Sequence, residues 1–260
     1  LLLSESHTAA VNCVAYPPAI SHRFITASAD GTVRVWDTAD YSVVAMAIVR
    51  DAGEPLCLCA SQEMVISGWN DGCIRSHEAD TMKQLWCIDD AHQDGVTAVV
   101  LSRNQRFVVT GGHRGEVRVW EVRSRELVSH LKQHGQRVAA LALYSDDAHV
   151  LSVSRDRSLV CWDLRAEKQV AHHSQRMGGI NAVAVSRDHT IVLTAGQEKR
   201  ASLWDLRYHD PPPFAAAQNL SPEMNDEART LAVSPCGTFF ATGGSACVLK
   251  LWSIPSSAGS

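Results

Sequence analysis

Short apolar runs separated by polar turns recur along the whole chain. In an early example, the run Phe24–Ser28 leads into the turn residues Ala29-Asp30-Gly31 and then into a second run, Thr32–Trp36. Runs of this length, rich in β-branched and aliphatic residues and bounded by Asp-Gly or Asn-Gly pairs, predict strands joined by tight turns. No long stretch keeps a helical period, so the pattern predicts an all-β fold.

Tryptophan closes most of these strand pairs at a nearly constant interval. It stands at Trp36, Trp120, Trp162, Trp204 and Trp252, with gaps of 84, 42, 42 and 48 residues. The long first gap contains a further copy at Ile66–Arg75, with His77 where the tryptophan is expected. Repeats of this length predict a β-propeller, in which each repeat forms one four-stranded blade.

The resulting layout is a single domain over residues 1–260. Its six repeats lie at about residues 1–40, 41–80, 81–124, 125–166, 167–208 and 209–255. The proline-rich stretch Tyr208–Asn225 comes nearest to a linker, and it lengthens the last interval to 48 residues.

The Trp-Asp endings, with polar residues at fixed offsets before them, resemble the WD-repeat family over nearly the whole chain. In that family a His, a Ser or Thr, an Asp and the Trp form a hydrogen-bonded tetrad in each complete blade. Carried over by position, two sets are complete: His7, Thr26, Asp30 and Trp36 in the first repeat, and His134, Ser152, Asp156 and Trp162 in the fourth. Because buried polar groups must be satisfied together, a complete tetrad is expected to lock its blade.

The other four repeats depart from the tetrad, and the resemblance implies looser packing in repeats two, five and six. The third keeps His92, Thr110 and Trp120 with Arg114 for the Asp; the second keeps Ser67 and Asp71; the fifth keeps Thr194 and Trp204 with Glu198 for the Asp and Arg176 for the His; the sixth keeps Thr242 and Trp252 with Ala246 for the Asp.

Six repeats leave the number of blades open, because seven is the commonest number in the family. A six-bladed ring, a seventh blade elsewhere in the parent protein and a tandem of propellers all fit. The chain does not begin with Met, which favours a fragment of a longer protein. Unpaired strand edges attract other chains, so Leu1-Leu2-Leu3 is a candidate strand for completing the last blade.

One region resembles a narrower group, the cilia- and flagella-associated WD-repeat proteins. The residues that carry this resemblance lie in Ile66–Arg75, Asp89–Val99 and Gly112–Trp120. Such proteins act as structural components on axonemal or centriolar microtubules. The resemblance implies a noncatalytic scaffold in the cytoplasm, at a cilium, flagellum or centriole, with tubulin and microtubule-associated proteins as candidate partners. The alternative is a substrate receptor or adaptor propeller in a ubiquitin ligase or signalling complex.

Composition narrows the range of partners. The chain is 45% hydrophobic and 20% charged, as expected for a globular domain with a substantial core. Its formal net charge of −4 argues against a general nucleic-acid binder. No apolar run approaches the length of a membrane span. We therefore expect neither nucleic acid nor a membrane as partner.

Catalytic and metal-binding motifs do not stand out. The phosphate-loop, dinucleotide-binding, zinc-protease and nucleophile-elbow patterns do not occur. His172-His173 could be taken as a metal pair, but a solvated loop between repeats four and five is the better interpretation. The eight cysteines mostly lie in apolar runs and form no CxxC pair, which favours small hydrophobes in a reduced protein over a metal or redox site. We expect no enzyme activity, cofactor or metal.

A partner is expected on the face where the family's Asp turns and His loops open, because substitutions there leave the strands intact. The candidate residues are Trp69, Asn70, His113, Arg114, Arg155, Arg157, Arg176, Lys199 and Arg200. A tryptophan beside arginines predicts binding of an acidic segment, such as a tubulin tail, an acidic motif or a phosphorylated peptide. Alternatively, the arginines are solvated or pair with Glu116, Asp188 and Glu198, and Trp69 packs inside the second repeat to compensate for His77.

Overall fold

The protein was analysed as a computed structural model that describes residues 6–18, 20–49, 53–144, 146–205, 218–219, 226–234 and 236–254. These residues contain 23 strands, and no helix among them is long and apolar enough to cross a membrane. The strands form six antiparallel sheets, which we name blades 1 to 6 in chain order. The prediction of an all-β propeller fold with six repeats is confirmed.

The chain divides into two compact units, Leu1–His130 and Leu131–Ser260. That residues 1–260 make a single domain stays a prediction.

The first unit holds blades 1 to 3. The last strand of blade 3 extends two residues beyond the end of this unit at His130. Blade 1 comprises β1 (Val11–Ala15), β2 (Arg23–Ser28), β3 (Thr32–Asp37) and β4 (Val43–Ile48); blade 2 comprises β5 (Pro55–Ala60), β6 (Met64–Trp69), β7 (Ile74–Glu78) and β8 (Gln84–Ile88); blade 3 comprises β9 (Val96–Leu101), β10 (Phe107–Gly112), β11 (Glu116–Glu121) and β12 (Leu127–Lys132).

The second unit holds blades 4 to 6. Blade 4 comprises β13 (Val138–Leu143), β14 (His149–Ser154), β15 (Ser158–Asp163) and β16 (Lys168–Ser174); blade 5 comprises β17 (Ile180–Val185), β18 (Ile191–Gly196), β19 (Ala201–Asp205) and β20 (Gln218–Asn219); blade 6 comprises β21 (Ala228–Val233), β22 (Phe239–Gly244) and β23 (Leu249–Ser253).

The blades share one internal construction, although blade 6 has three strands among the described residues where four are predicted. Consecutive strands pair as hairpins, and the first pairing always contains a register shift near the start of the first strand, as between Val11 and Cys13 or between Ala228 and Thr230. An extra residue at such a bulge increases the local twist of the strand pair. The recurrence of one bulge in six sheets shows that the six sequence repeats are six copies of one structural unit.

The core lies between neighbouring blades of the same unit. Ile25 and Val35 of blade 1 pack with Leu58 and Trp69 of blade 2, and equivalent clusters join blades 2 and 3, blades 4 and 5, and blades 5 and 6. In blades 1 to 5 the second and third strands are almost continuously buried, as in β2 and β3, whereas an outer strand such as β12 alternates and β23 of blade 6 has every second residue exposed. Strands buried on both faces have continuous apolar sequences, because neither face meets water.

Some predictions concern residues outside the described part of the chain. Leu1-Leu2-Leu3 lies outside it, as does the predicted linker Tyr208–Asn225 except for Gln218–Asn219, which form β20.

The prediction of a solvated loop at His172-His173 is wrong. Both residues lie in β16, where successive side chains point to opposite faces, and the His173 ring packs 4.6 Å from that of Trp204.

Candidate functional site

One hydrogen bond recurs inside every blade: an indole N–H donates to the hydroxyl of a Ser or Thr on the second strand. The six bonds run from Trp36 to Thr26 at 2.7 Å, from Trp69 to Ser67 at 2.8 Å, from Trp120 to Thr110 at 3.0 Å, from Trp162 to Ser152 at 2.8 Å, from Trp204 to Thr194 at 3.0 Å and from Trp252 to Thr242 at 2.9 Å. A buried indole and a buried hydroxyl satisfy each other, which avoids the penalty of leaving either unpaired.

In blade 1 the four predicted tetrad residues form one chain of bonds. Thr26 Oγ1 lies 2.6 Å from His7 Nε2, and Asp30 Oδ2 lies 2.8 Å from His7 Nδ1. The same carboxylate oxygen accepts the backbone N–H of Thr8 at 3.2 Å. Asp30 therefore orients the imidazole and also fixes the loop that carries it.

Blade 4 brings its four tetrad residues together through a fifth. His134 Nε2 lies 2.6 Å from Ser152 Oγ, but its Nδ1 meets Ser158 Oγ at 2.6 Å and is 3.4 Å from Asp156 Oδ2. Ser158 also donates to Asp156. The sequence analysis did not single out Ser158. A signal was present, because blade 1 also has a polar residue, Thr32, two positions after its turn Asp.

These networks set the charge states of their members. Burial by itself would raise the pKa of both carboxyl groups. Hydrogen bonds from Thr32 and His7 hold the pKa of Asp30 well below its usual range. Hydrogen bonds from Ser158 and from the Gly135 N–H likewise lower the pKa of Asp156. Burial lowers the pKa of His134, because the imidazolium loses hydration that Asp156 only partly replaces. The carboxylates are thus ionised, while burial favours the neutral imidazole of His134.

Blade 3 obtains its carboxylate from an unexpected position. Arg114 occupies the Asp position, but Glu116, two residues later, places Oε1 at 3.4 Å from His92 Nδ1. Gly112 leaves space for this arrangement, since a Cβ there would lie 2.3 Å from His92 Nδ1. Burial lowers the pKa of His92 to about 4 against the opposing effect of Glu116. Glu116 therefore places a carboxylate beside His92 where the Asp is missing, although His92 Nδ1 makes no hydrogen bond to it.

In blade 2, Trp69 takes the place of the tryptophan that is missing at His77, and it does not lie on the predicted partner-binding face. The prediction of an exposed Trp69 is wrong, because its side chain is 0% exposed and bonds Ser67 from the same strand. The alternative, that Trp69 compensates for His77, is confirmed. Arg75 covers the indole at 4.8 Å and donates to both oxygens of Asp71, at 3.2 and 2.8 Å.

Blades 5 and 6 keep only parts of the network. Glu198 in the Asp position of blade 5 accepts the backbone N–H of Met177 at 3.1 Å, as Asp30 does for Thr8, but Arg176 in the His position is exposed. In blade 6, Phe240 stacks on Trp252 with ring centroids 6.1 Å apart, and Ala246 in the Asp position is exposed.

Five of the predicted partner-binding residues lie on adjoining loops of blades 4 and 5. They are exposed and basic: Arg155, Arg157, Arg176, Lys199 and Arg200. The loops touch directly, since Arg157 Nη1 donates to the Arg176 carbonyl at 3.3 Å and a Cβ on Gly179 would lie 2.8 Å from the Arg155 Cα. We call these five residues the basic loop surface.

The predicted partner-binding residues of the first unit offer less positive charge. Asn70 and His113 are exposed, and the Asn70 side-chain oxygen accepts the Glu54 N–H at 2.9 Å. Arg114 is exposed but ion-paired with Asp94. The acids considered as alternative partners have other contacts: Glu116 lies beside His92, Glu198 accepts from Met177, and Asp188 accepts from Ser186 and Thr190.

Comparison with known families agrees with the blade geometry. A profile of the Vps8 beta-propeller matches residues 41–177, more than half of the chain. The WD domain, G-beta repeat profile matches residues 2–37, 167–205 and 224–253. The chain belongs to the WD-repeat β-propeller family.

Among WD-repeat relatives, Cilia- and flagella-associated protein 52 of Homo sapiens is 28% identical over 158 residues, which cover 60% of this chain and 25% of that protein. The Chlamydomonas reinhardtii protein of the same name is 27% identical over 161 residues, 60% of this chain and 26% of its own length. Autophagy-related protein 16 of Arabidopsis thaliana is 28% identical over 156 residues, 58% of this chain and 30% of its own length. The chain spans about a quarter of the cilia- and flagella-associated relatives that it matches.

Replacing His77 with Phe should flatten the loss of stability in acid. Burial and the nearby Arg75 lower the pKa of His77 to about 4, and its Nδ1 has no hydrogen-bond partner among the described residues. Between pH about 6.5, the unfolded value, and about 4, only the unfolded chain binds this proton, so folding loses up to about 1.4 kcal/mol per pH unit. His77→Phe removes that contribution, which urea unfolding across this pH range would measure. His113→Phe, at an exposed histidine, is the control; equal slopes for His77→Phe and wild type would contradict the prediction.

Replacing Glu116 with Gln should destabilise blade 3, because, against the effect of burial, the backbone and the neighbouring His92 and Arg118 hold the pKa of Glu116 below its usual value, so that folding favours the charged carboxylate that Gln lacks. Arg114→Ala, which breaks an exposed ion pair, should change the free energy of unfolding by less than about 1 kcal/mol. Denaturant unfolding at neutral pH measures both. If Arg114→Ala were the more destabilising change, Glu116 would not be the acid that serves His92.

Proposed function

We propose that this protein is a noncatalytic protein-interaction scaffold of a ciliary, flagellar or centriolar microtubule assembly. Its basic loop surface binds an acidic segment of a partner. The proposal rests chiefly on the five exposed basic side chains that this surface brings together on adjoining loops.

Arg157 and Lys199 occupy a backbone position that favours glycine. The corresponding turn residues of blades 1 to 3 are Gly31, Gly72 and Gly115, all with positive φ, whereas Arg157 has a φ of 77° and Lys199 a φ of 57°. A side chain in the left-handed region costs roughly 1–2 kcal/mol. Nine other non-glycine residues of the described chain also have a positive φ, among them Cys247 at the same turn position of blade 6. What supports a role in binding is that Arg157 and Lys199 add two exposed cations to adjoining loops.

The two carboxylates within these loops are engaged in local hydrogen bonds. Asp156 accepts from Ser158 and from the Gly135 N–H, and Glu198 accepts from the Met177 N–H. The arginines beside them are exposed and outnumber these two acids. Arginine in such a setting pairs well with carboxylate or phosphate oxygens, through two parallel N–H donors.

The likeness to the cilia- and flagella-associated relatives supports a place on microtubules. The name of these relatives connects them with cilia and flagella. Tubulin tails are long acidic segments of the kind that a basic loop surface can bind. This chain has a net charge of −4, so the attraction is local to the loops and should weaken with added salt.

Reversing the charge at Arg155 and Arg157 should abolish binding to stabilised microtubules. Co-sedimentation of wild type before and after subtilisin removes the acidic tails should show binding that depends on the tails and falls with salt. Arg123→Glu with Arg125→Glu is the matched control, since these arginines have the same spacing and are exposed in the β11–β12 turn. Undiminished binding by Arg155→Glu with Arg157→Glu would contradict the acidic-segment proposal. Failure of wild type to bind any microtubules would contradict the microtubule assignment and favour a receptor or adaptor role.

Replacing Arg157 with Gly should stabilise the fold and weaken the interaction at the same time. Glycine relieves the strain at a φ of 77°, and the expected gain is up to about 1 kcal/mol after the loss of backbone entropy. Arg155→Gly in the same turn is the control, because no positive φ is found there and no stabilisation is expected. Unfolding free energy and microtubule affinity are measured on the same samples. A more stable Arg157→Gly protein with unchanged affinity would show that Arg157 has no part in binding.

A further inference from the structure

Two thiols and a carboxylate converge at the outer edge of blade 2. Cys87 Sγ lies 3.1 Å from Asp89 Oδ1, and Cys73 Sγ lies 3.7 Å from the same oxygen. The three potential ligand atoms all lie within 4.8 Å of one another. Cys73 and Cys87 are half-buried and Asp89 is exposed, so an ion can reach the group from solvent.

The strand register brings these residues together. β7 and β8 are antiparallel, with Ile74 opposite Ile88 and Arg75 opposite Cys87. Continuing this register by one step places Cys73 opposite Asp89. Cys87 and Asp89 are two residues apart, so their side chains share one face of the sheet. The three ligands thus come from paired strands, which explains why their spacing matches no common zinc motif.

These cysteines differ from those that serve the core. Cys13, Cys57, Cys59 and Cys161 belong to the apolar clusters between blades, as the sequence predicts. Cys73 and Cys87 instead direct their sulfur atoms towards a carboxylate. Apolar packing does not explain why two thiols lie beside the Asp89 carboxylate, whereas metal coordination does.

We propose that Cys73, Cys87 and Asp89 form a binding site for one Zn²⁺ ion. Two thiolates and one carboxylate are ligands that zinc accepts, and a water molecule or a partner's side chain can supply the fourth. On binding, each thiol transfers its proton to solvent, and the metal then links β7 to β8.

The neighbouring charges are compatible with a cation. Arg75 is the nearest positive group on this face, but its guanidinium is held by both oxygens of Asp71 and lies over the Trp69 ring. The two thiolates and Asp89 together carry three negative charges, which Zn²⁺ largely neutralises.

A Cys73–Cys87 disulfide fits the register less well. The two residues are diagonal neighbours across the strand pair, where Cα atoms are about 7–8 Å apart. A disulfide needs Cα atoms within about 6.8 Å, so it would require the strands to move. A bridging metal ion needs no such approach.

The first test titrates the reduced, chelator-treated chain with Co²⁺ as a spectroscopic probe, followed by displacement with Zn²⁺. The background is Cys236→Ser with Cys247→Ser, which removes the two exposed thiols. We expect one Co²⁺ per chain, with a thiolate-to-metal charge-transfer band that Zn²⁺ abolishes. Adding Cys73→Ser or Cys87→Ser should remove the band, and Asp89→Asn should weaken binding at least tenfold. A band that survives Cys73→Ser with Cys87→Ser, or the lack of any stoichiometric band in the background protein, would overturn the proposal.

A second measurement needs no substitution. Alkylation of the unmodified chain, mapped by mass spectrometry with and without Zn²⁺, should show Cys73 and Cys87 protected by the metal while Cys236 reacts equally in both samples. Equal alkylation of Cys73 and Cys87 with and without Zn²⁺ would overturn the proposal, whether or not the variants fold.

Discussion

The structure depends on one hydrogen bond, from a tryptophan indole to a hydroxyl on the second strand, which each of the six blades makes and which is buried in blades 1 to 5. In five blades it ties the third strand to the second, and in blade 2 it forms within β6 between Trp69 and Ser67. The hydroxyl lies on the second strand in every blade, whereas the strand that carries the tryptophan differs in blade 2. An unpaired hydroxyl in a strand covered on both faces would have no access to water, so its partner must be replaced when it is lost.

The polar groups around this bond are more variable, because several arrangements satisfy them. Asp30 contacts His7 directly, Asp156 acts largely through Ser158, and Glu116 reaches His92 from two residues later. In blade 5, Glu198 keeps the bond to the loop N–H although the histidine is replaced. In blades 1, 3, 4 and 5, what is preserved is a carboxylate near the loop that opens the blade, rather than an aspartate at a fixed position.

This arrangement links the interior of a blade to its surface. In blades 4 and 5 the turn carboxylate accepts a backbone N–H, and the exposed positions around it carry Arg155, Arg157, Lys199 and Arg200. The local positive charge therefore arises on a chain whose net charge is −4. In blade 2 the turn carboxylate Asp71 accepts the Cys73 N–H and the Arg75 guanidinium, and the strand register places Cys73, Cys87 and Asp89 together beside this turn.

The sequence by itself determined the all-β class, the six repeats and the residues that could enter the tetrads, because strand alternation, turn residues and the tryptophan interval are local properties of the chain. It also placed the basic residues of blades 4 and 5 in turns. Only the tertiary structure decided that Trp69 is buried, that Glu116 serves His92, that His172 and His173 lie in a strand, and that two cysteines face a carboxylate. Each of these depends on which side chains meet across paired strands and on which rotamer fills the space left by a missing neighbour. Spacing along the chain does not contain that information, because packing between strands selects among side chains that are distant in sequence.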